Sequence, residues 1–251
     1  MNRAWPPGMT PLRTTRRSNG PGVLFDLDGT LVDPAGGITV GIAHALTAAG
    51  MDPPDEATLR AMVGPKLADA LLTHTTARPE QIPGIIASYR QWYATTGMAM
   101  GAVYPGITDL LDALVDAGIT LGVATQKPRT IARTILQTHG IEAYFDVVAG
   151  APDEEALMPG EQGYTPGKTE IIAEALAALK PTTAVMVGDR AQDVEGAHAN
   201  DIACLGAGWG YASPGELTEA GAALVVADPK DVTPGVLLSL AANLQAAPQQ
   251  R

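Results

Sequence analysis

The sequence predicts an α/β protein: a parallel sheet with helices on both faces, interrupted once by an all-helical block. Two observations carry this. From Leu24 onward, apolar runs of strand length alternate with amphipathic stretches of helix length. Between residues 51 and 102 the alternation stops, and Pro and Gly divide a series of helical segments with no strand-like run among them.

Val23-Leu24-Phe25-Asp26-Leu27-Asp28 is a short apolar run that ends in acids before Gly29-Thr30. It reads as a buried strand opening into a loop. A helix over 38–49 stops at Gly50, and further helices are expected over 56–62, 66–75 and 80–96. The pattern changes at Tyr104-Pro105-Gly106. Residues 107–117 form an amphipathic helix with Ile107, Leu110, Leu111 and Leu114 on one face, ended by Gly118. A strand over 119–124 ends in Thr125, and a helix over 128–139 stops at Gly140. Strands are expected over 144–149, 183–187, 202–207 and 224–227, and helices over 171–179, 193–199 and 232–244.

The expected organisation is a Rossmann-like core from residues 23–34 and 103–245, with a helical cap over 35–102 inserted after the first strand. Residues 1–22 are expected as a disordered tail and 246–251 as a frayed one, with a polar loop over 151–167. The first segment carries Arg3, Arg13, Arg16 and Arg17, several prolines and no acid. Met9 offers a second start, and a transit peptide is the alternative reading. No apolar stretch there resembles a signal sequence, and no run is long and apolar enough to span a bilayer.

Of 251 residues, 46% are hydrophobic and 17% charged, the composition of a globular core rather than a disordered chain. The net charge is −11, and no dense Lys/Arg run follows the first segment. This argues against a nucleic-acid partner, which needs a basic face. An acidic protein that handles phosphates must bring in positive charge locally, and a divalent cation is the usual means. The single cysteine, Cys204, lies in an apolar stretch and reads as a small buried hydrophobe. One cysteine makes no disulfide within the chain, so a reducing, cytoplasmic compartment is expected. The four histidines are scattered without metal-ligand spacing. Neither a monomer nor a homodimer is indicated.

In open α/β sheets the functional crevice lies at the carboxyl ends of the strands. Four features fall there or just beyond: Asp26-Leu27-Asp28-Gly29-Thr30; Thr125 with Gln126; Lys168, in a loop before a helix; and Gly188-Asp189, followed by Asp193. Asp26 and Asp28 are two apart, so in a continuing strand both side chains point the same way. With Asp189 they place at least three carboxylates in one crevice, and each close like-charge pair costs on the order of a few kcal/mol. A magnesium ion answers such a cluster, because it takes carboxylate oxygens and keeps waters that a phosphate can replace. The Thr125 hydroxyl and backbone N–H groups near Gly29 and Gln126 can donate to phosphoryl oxygens. Lys168 adds a compact positive charge. Lys127, two residues after Thr125, is the rival lysine and reads as a loop or helix-start residue. Asp193 reads equally as the N-cap of the helix that follows.

These four features in this order resemble the haloacid dehalogenase superfamily, close to its phosphoglycolate phosphatases. Asp26 to Thr30 match its Asp-x-Asp-Gly-Thr opening, Thr125 its strand-end hydroxyl, Lys168 its lysine, and Gly188-Asp189 with Asp193 its closing acids. Gly64-Pro65 and Tyr104-Pro105-Gly106 fit the same subgroup, and the likeness runs from about Val23 to Val226. The loop around Lys168 departs from it, since the usual Lys-Pro pair is Lys168-Thr169 here. The resemblance implies a phosphatase in which Asp26 attacks phosphorus and Asp28 serves as acid and then base. It implies Mg²⁺ held by Asp26, the backbone carbonyl of Asp28 and Asp189, with Asp193 supporting the shell. Thr125 and Lys168 are then expected to bind the phosphoryl group of a small phosphorylated substrate. A phosphomutase and a scaffold without catalysis are the alternative functions. His44, His74, His139 and His198 are assigned surface or capping roles and Trp92 and Tyr93 packing within the cap, while Lys66 and Arg90 are assigned helix surfaces, with reach to the leaving group as the alternative that the resemblance offers.

Overall fold

A computed structural model describes residues 20–153 and 167–246 of the chain. Residues 1–19, 154–166 and 247–251 lie outside the described residues, and with them most of the expected tails and of the polar loop. Strand β1 (Gly22–Phe25) is buried at every position. Gly22, expected in the tail, opens this strand instead. The two residues before it are tied to the sheet as well: the Pro21 carbonyl accepts from Thr120 N–H at 3.1 Å, and the Gly20 carbonyl from Thr182 N–H at 2.9 Å.

The chain turns from β1 into β2 (Val32–Asp33) and then into helices α1 (Gly37–Ala48), α2 (Glu56–Ala61), α3 (Leu67–His74) and α4 (Ile82–Thr95). It returns through β3 (Ala102–Val103), which pairs antiparallel with β2, Val32 opposite Val103. Two-residue strands carry no periodic signal, so neither was expected. Together they bring the two ends of the helical block side by side. Residues 20–35 and 102 onward thus leave and rejoin the sheet at one place.

The remaining elements alternate: α5 (Ile107–Asp116), β4 (Thr120–Pro128), α6 (Arg129–Thr138), β5 (Val147–Ala151), α7 (Lys168–Leu179), β6 (Ala184–Gly188), α8 (Ala191–His198), β7 (Ala203–Ala207), α9 (Glu216–Glu219), β8 (Leu224–Val226) and α10 (Pro234–Ala246). The sheet has the order β5-β4-β1-β6-β7-β8, and every pairing in it is parallel. The α/β expectation holds. Among the boundaries that moved are two in the sheet. The strand expected from Tyr144 begins at Val147, because Glu142–Tyr144 winds into a 3-10 turn. Strand β4 runs past Thr125 to Pro128, with a shift of register between those residues.

Alternating side chains of the sheet feed two cores. Val23, Phe25, Val123 and Val187 join one, which α5 and α10 cover with Leu111, Leu114 and Leu237. Leu24, Ala124, Met186 and Cys204 join the other, covered by α7 and α8 through Ile172 and Val194. Cys204 is a free, buried thiol, as its apolar surroundings predicted. The helical block continues the first core through Leu27, Leu31, Ile42 and Ile86. Gly41 of α1 lets Trp92 pack close: a methyl group there would lie 2.8 Å from the indole. Among the described residues no helix is long and apolar enough to cross a membrane.

Strand β1 lies between β4 and β6, which the chain reaches in opposite directions across the sheet. The carboxyl ends of these three strands therefore meet at the switch point where open sheets bind ligands. Phe25 anchors β1 beneath it, fully buried and edge-on to Phe145 at 6.4 Å between ring centroids. Phe25→Ala is expected to cost about 3–5 kcal/mol, read as a lowered denaturation midpoint in urea at unchanged slope.

Candidate active site

Asp26 is the first residue beyond β1, and its N–H donates to the Val187 carbonyl of β6 at 2.9 Å. The strand does not continue. Leu31 N–H turns back to the Leu27 carbonyl at 2.9 Å, and Gly29 N–H donates to Val32 O at 2.8 Å. This turn separates Asp26 from Asp28, which a continuing strand would have kept together. Asp26 accepts from Lys168 Nζ at 2.6 Å, whereas Asp28 accepts from Lys127 Nζ at 2.7 Å.

Carboxylate oxygens of Asp26, Asp189 and Asp193 lie within 4.8 Å of one another, all three residues buried. The Asp28 side chain is outside this group. Asp189, at the end of β6, accepts from the Thr30 hydroxyl at 3.0 Å and from Tyr211 N–H at 2.8 Å. Gly29, with φ +84°, leaves room for it: a Cβ there would sit 2.2 Å from Asp189 Oδ2. That is the visible role of Gly29, since its N–H is engaged and it does not line the cavity described below.

Two expectations about helix starts change. Lys168 is the first residue of α7 rather than part of a loop, and it is buried. Gly196 of α8 allows this, because a Cβ there would press on Lys168 Cβ at 3.2 Å. Asp193 is the third residue of α8 rather than its N-cap. Its Oδ2 still accepts from Arg190 N–H at 3.0 Å, while Oδ1 meets Lys168 Nζ at 2.7 Å. One carboxylate therefore both caps the helix and joins the cluster.

Burial dominates the electrostatics. It lifts Asp193 to about 6, with Lys168 pulling the other way and Asp26 adding to the rise. Burial, then the charges of Asp26 and Asp193, hold Asp189 well above the usual carboxylate range. Burial alone would lower Lys168, but Asp193 and Asp26 outweigh it and keep the ammonium charged. Hard oxygen donors, buried and close together, suit a small divalent cation. Three carboxylates against one bonded ammonium also leave negative charge in excess.

Thr125 is buried at the shift of register in β4, and its hydroxyl oxygen accepts from Lys127 N–H at 3.2 Å. Asp26, Asp28, Thr125 and Gln126 form the sheet side of a cavity of about 50 Å³. The helical block supplies the facing side, with Met62, Pro65, Tyr89 and Tyr93. Tyr93, assigned to packing from the sequence, thus faces the same space as the acids. Lys127 also lines it, engaged by Asp28 rather than standing in a loop. Arg190 was not expected either. It holds Glu216 at 2.9 Å and donates to the carbonyls of Ala61 and Val63 in the helical block. Neither residue had a local signal: both partners lie far away in the sequence.

Residues 23–207 match the family model described as haloacid dehalogenase-like hydrolase. The tyrosine-protein kinase PtkA of Mycobacterium tuberculosis is 40% identical over 203 residues, covering 78% of this chain but only 66% of that protein. A 5'-nucleotidase of Pseudomonas aeruginosa is 36% identical over 199 residues, covering 78% of this chain and 86% of the relative. The crystal structure of a predicted phosphatase from Clostridium acetobutylicum superposes with a TM-score of 0.74 at 34% identity, covering 83% and 93% of the two chains.

The raised Asp193 fixes the sign of a pH effect. Its ordinary value of 3.8 belongs to the unfolded chain and about 6 to the folded one, so folding favours the protonated form. The metal-free protein therefore loses stability from this group as pH rises from about 4 to about 6, and the loss is complete above that. Asp193→Asn is expected to gain on the wild type across that window by up to about 3 kcal/mol. Urea midpoints of both proteins in chelator, measured from pH 4 to 7, check this; a constant difference would refute it.

Proposed function

The chain belongs to the haloacid dehalogenase-like hydrolase family, and from that premise we propose that it is a magnesium-dependent phosphatase with Asp26 as nucleophile. The observation that carries the reading is Asp26 itself: it stands at the switch point, inside the buried carboxylate group, bonded to Lys168 at 2.6 Å. In this reading Asp26, Asp189 and the backbone carbonyl of Asp28 would hold the ion, and Asp193 would brace it through the shared contact with Lys168. When bound, the cation neutralises the excess charge and polarises a phosphoryl oxygen.

The chain's own residues do the rest. The Asp26 carboxylate attacks phosphorus, and the bond to the leaving oxygen breaks. Asp28, lifted above the ordinary range by burial and opposed in this by Lys127, gives its proton to that oxygen. Asp28 then takes a proton from the water that cleaves the aspartyl phosphate, which releases phosphate and restores Asp26. The Thr125 hydroxyl and the Lys168 ammonium steady the phosphoryl oxygens, with Gln126 beside them.

The helical block over 35–102 would act as a cap on the core formed by 23–34 and 103–245. A cavity of about 50 Å³ holds no more than a few waters, so a closed cap would exclude bulk solvent from the reaction. The substrate is a small phosphomonoester, with phosphoglycolate, nucleoside monophosphates and pyrophosphate as candidates. The intact Asp26, Asp28 and Asp189 argue against an idle scaffold. A mutase would keep the same acids and return phosphate to its sugar.

The relative named a tyrosine-protein kinase supports one second reading, in which a tyrosine hydroxyl replaces water as the acceptor. Hydrolysis of p-nitrophenyl phosphate with Mg²⁺ is the direct test of the first. Activity should vanish in chelator and fall at least about a thousandfold in Asp26→Asn. Phosphotyrosine formed from ATP, with no phosphate released from esters, would favour the second.

A further inference from the structure

We infer that Lys127 is a positioning residue that fixes the rotation of the Asp28 carboxylate, so that one oxygen is held and the other is aimed at the leaving group. This rests on the phosphatase reading and goes beyond it by giving a lysine outside the four matched features a task in the reaction.

The geometry is specific. Lys127 Nζ holds Asp28 Oδ2 at 2.7 Å, with the two side chains only 8% and 10% exposed. Asp28 Oδ1 is also buried, yet it has no hydrogen-bond partner among the described residues. A buried polar atom without a partner is uncommon and calls for a reason. Here the reason is the cavity, which Asp28 lines opposite the helical block. The terminal torsion of an aspartate is broad and nearly two-fold. Without a partner, either oxygen could face the cavity or neither. The bond to Oδ2 removes that freedom and leaves Oδ1 as the oxygen presented to a bound ester.

Lys127 is itself held from three sides. The register shift between Thr125 and Pro128 turns the lysine out of the β4 ladder, as irregularities near active sites do. Its N–H bonds the Thr125 hydroxyl oxygen at 3.2 Å, which ties it to a phosphate-binding candidate. Its ammonium lies 4.6 Å from the centre of the Tyr93 ring, and that ring stacks on Tyr89 at 5.5 Å. Both tyrosines belong to α4 in the helical block. The Tyr93 ring and Asp28 both hold the ammonium, one by a cation–π contact and the other by a charge-assisted hydrogen bond.

A purely structural ion pair would look similar, so the test must separate orientation from stability. Phenyl phosphate and p-nitrophenyl phosphate are close in size, but phenolate needs a proton on leaving far more than p-nitrophenolate does. kcat/KM runs from the free ester through phosphoryl transfer and leaves out the later hydrolysis of the aspartyl phosphate, and the similar size of the two esters keeps their binding alike. In Lys127→Met, kcat/KM for phenyl phosphate should fall at least about tenfold more than for p-nitrophenyl phosphate. Asp28→Asn should show the same selective loss, and the double variant no greater selectivity than Asp28→Asn. Equal loss on both esters, or added selectivity in the double variant, would overturn the proposal while leaving the phosphatase reading intact. A wild-type protein that hydrolyses neither ester with Mg²⁺ would sink the reading and the proposal together. Should Lys127→Met fail to melt cooperatively, Lys127→Gln takes its place, a shorter neutral side chain that is polar enough for the site but loses the charged bond to Oδ2. It is then expected to lose p-nitrophenyl phosphate activity less than phenyl phosphate activity, and equal loss again overturns the idea.

Discussion

Asp26, Asp189 and Asp193 are taken out of water within reach of one another, and Lys168 is the direct counter-charge of Asp26 and Asp193. Taking ions out of water costs several kcal/mol each even after relaxation, so much of the surrounding structure is arranged to hold them. Asp189 is met by a hydroxyl from the first loop and an N–H from beyond β7. Asp193 is met by the backbone of its own helix start. Glycines at 29, 188 and 210 stand where any side chain would collide with these carboxylates. The parallel sheet supplies the rest of the constraint, since only neighbouring strands can bring residues 26 and 189 together from such distant parts of the chain.

Much of this was legible in the sequence, for an identifiable reason. Asp26 to Thr30, Thr125 and Gly188-Asp189 each follow an apolar run, and parallel strands carry their chemistry where such runs end. The alternation of runs therefore located both the sheet and its functional edge. Fine placement was less legible. Lys168 looked like a loop residue because the polar stretch over 151–167 precedes it, but it opens α7 and packs against Gly196. Asp193 looked like an N-cap and sits three positions further on. Both depend on close packing of α7 on α8, which no local pattern encodes. Lys127 was harder still. Its pairing with Asp28 spans 99 residues of sequence and depends on the shift of register in β4, which has no signature of its own.

The two faces of the cavity are joined by more than contact. Arg190 follows Asp189 directly and reaches two carbonyls of the helical block, at Ala61 and Val63. Gly64 has φ +105°, and a Cβ there would lie 2.8 Å from the Arg190 side chain. On the other side of the cavity, Lys127 touches Asp28 and Tyr93 at once. Asp28 thus has a cationic partner that also touches α4, and the residue after Asp189 reaches the helical block, so the position of those helices and the geometry of these two acids are mechanically linked.

The short ribbon of β2 and β3 gives that arrangement an evolutionary reading. Val32 stands opposite Val103, so the chain enters and leaves the helical block as a pair of adjacent threads, whatever length of chain hangs between them. Loop closure grows slowly with length, and here the ribbon has already closed the loop. Lineages could therefore lengthen, shorten or wholly replace the intervening helices without disturbing strand pairing below. Selectivity for one ester over another could drift by exchange of that appendage, so long as each replacement kept contacts like those of Arg190 and Lys127 that tie it to the acids below.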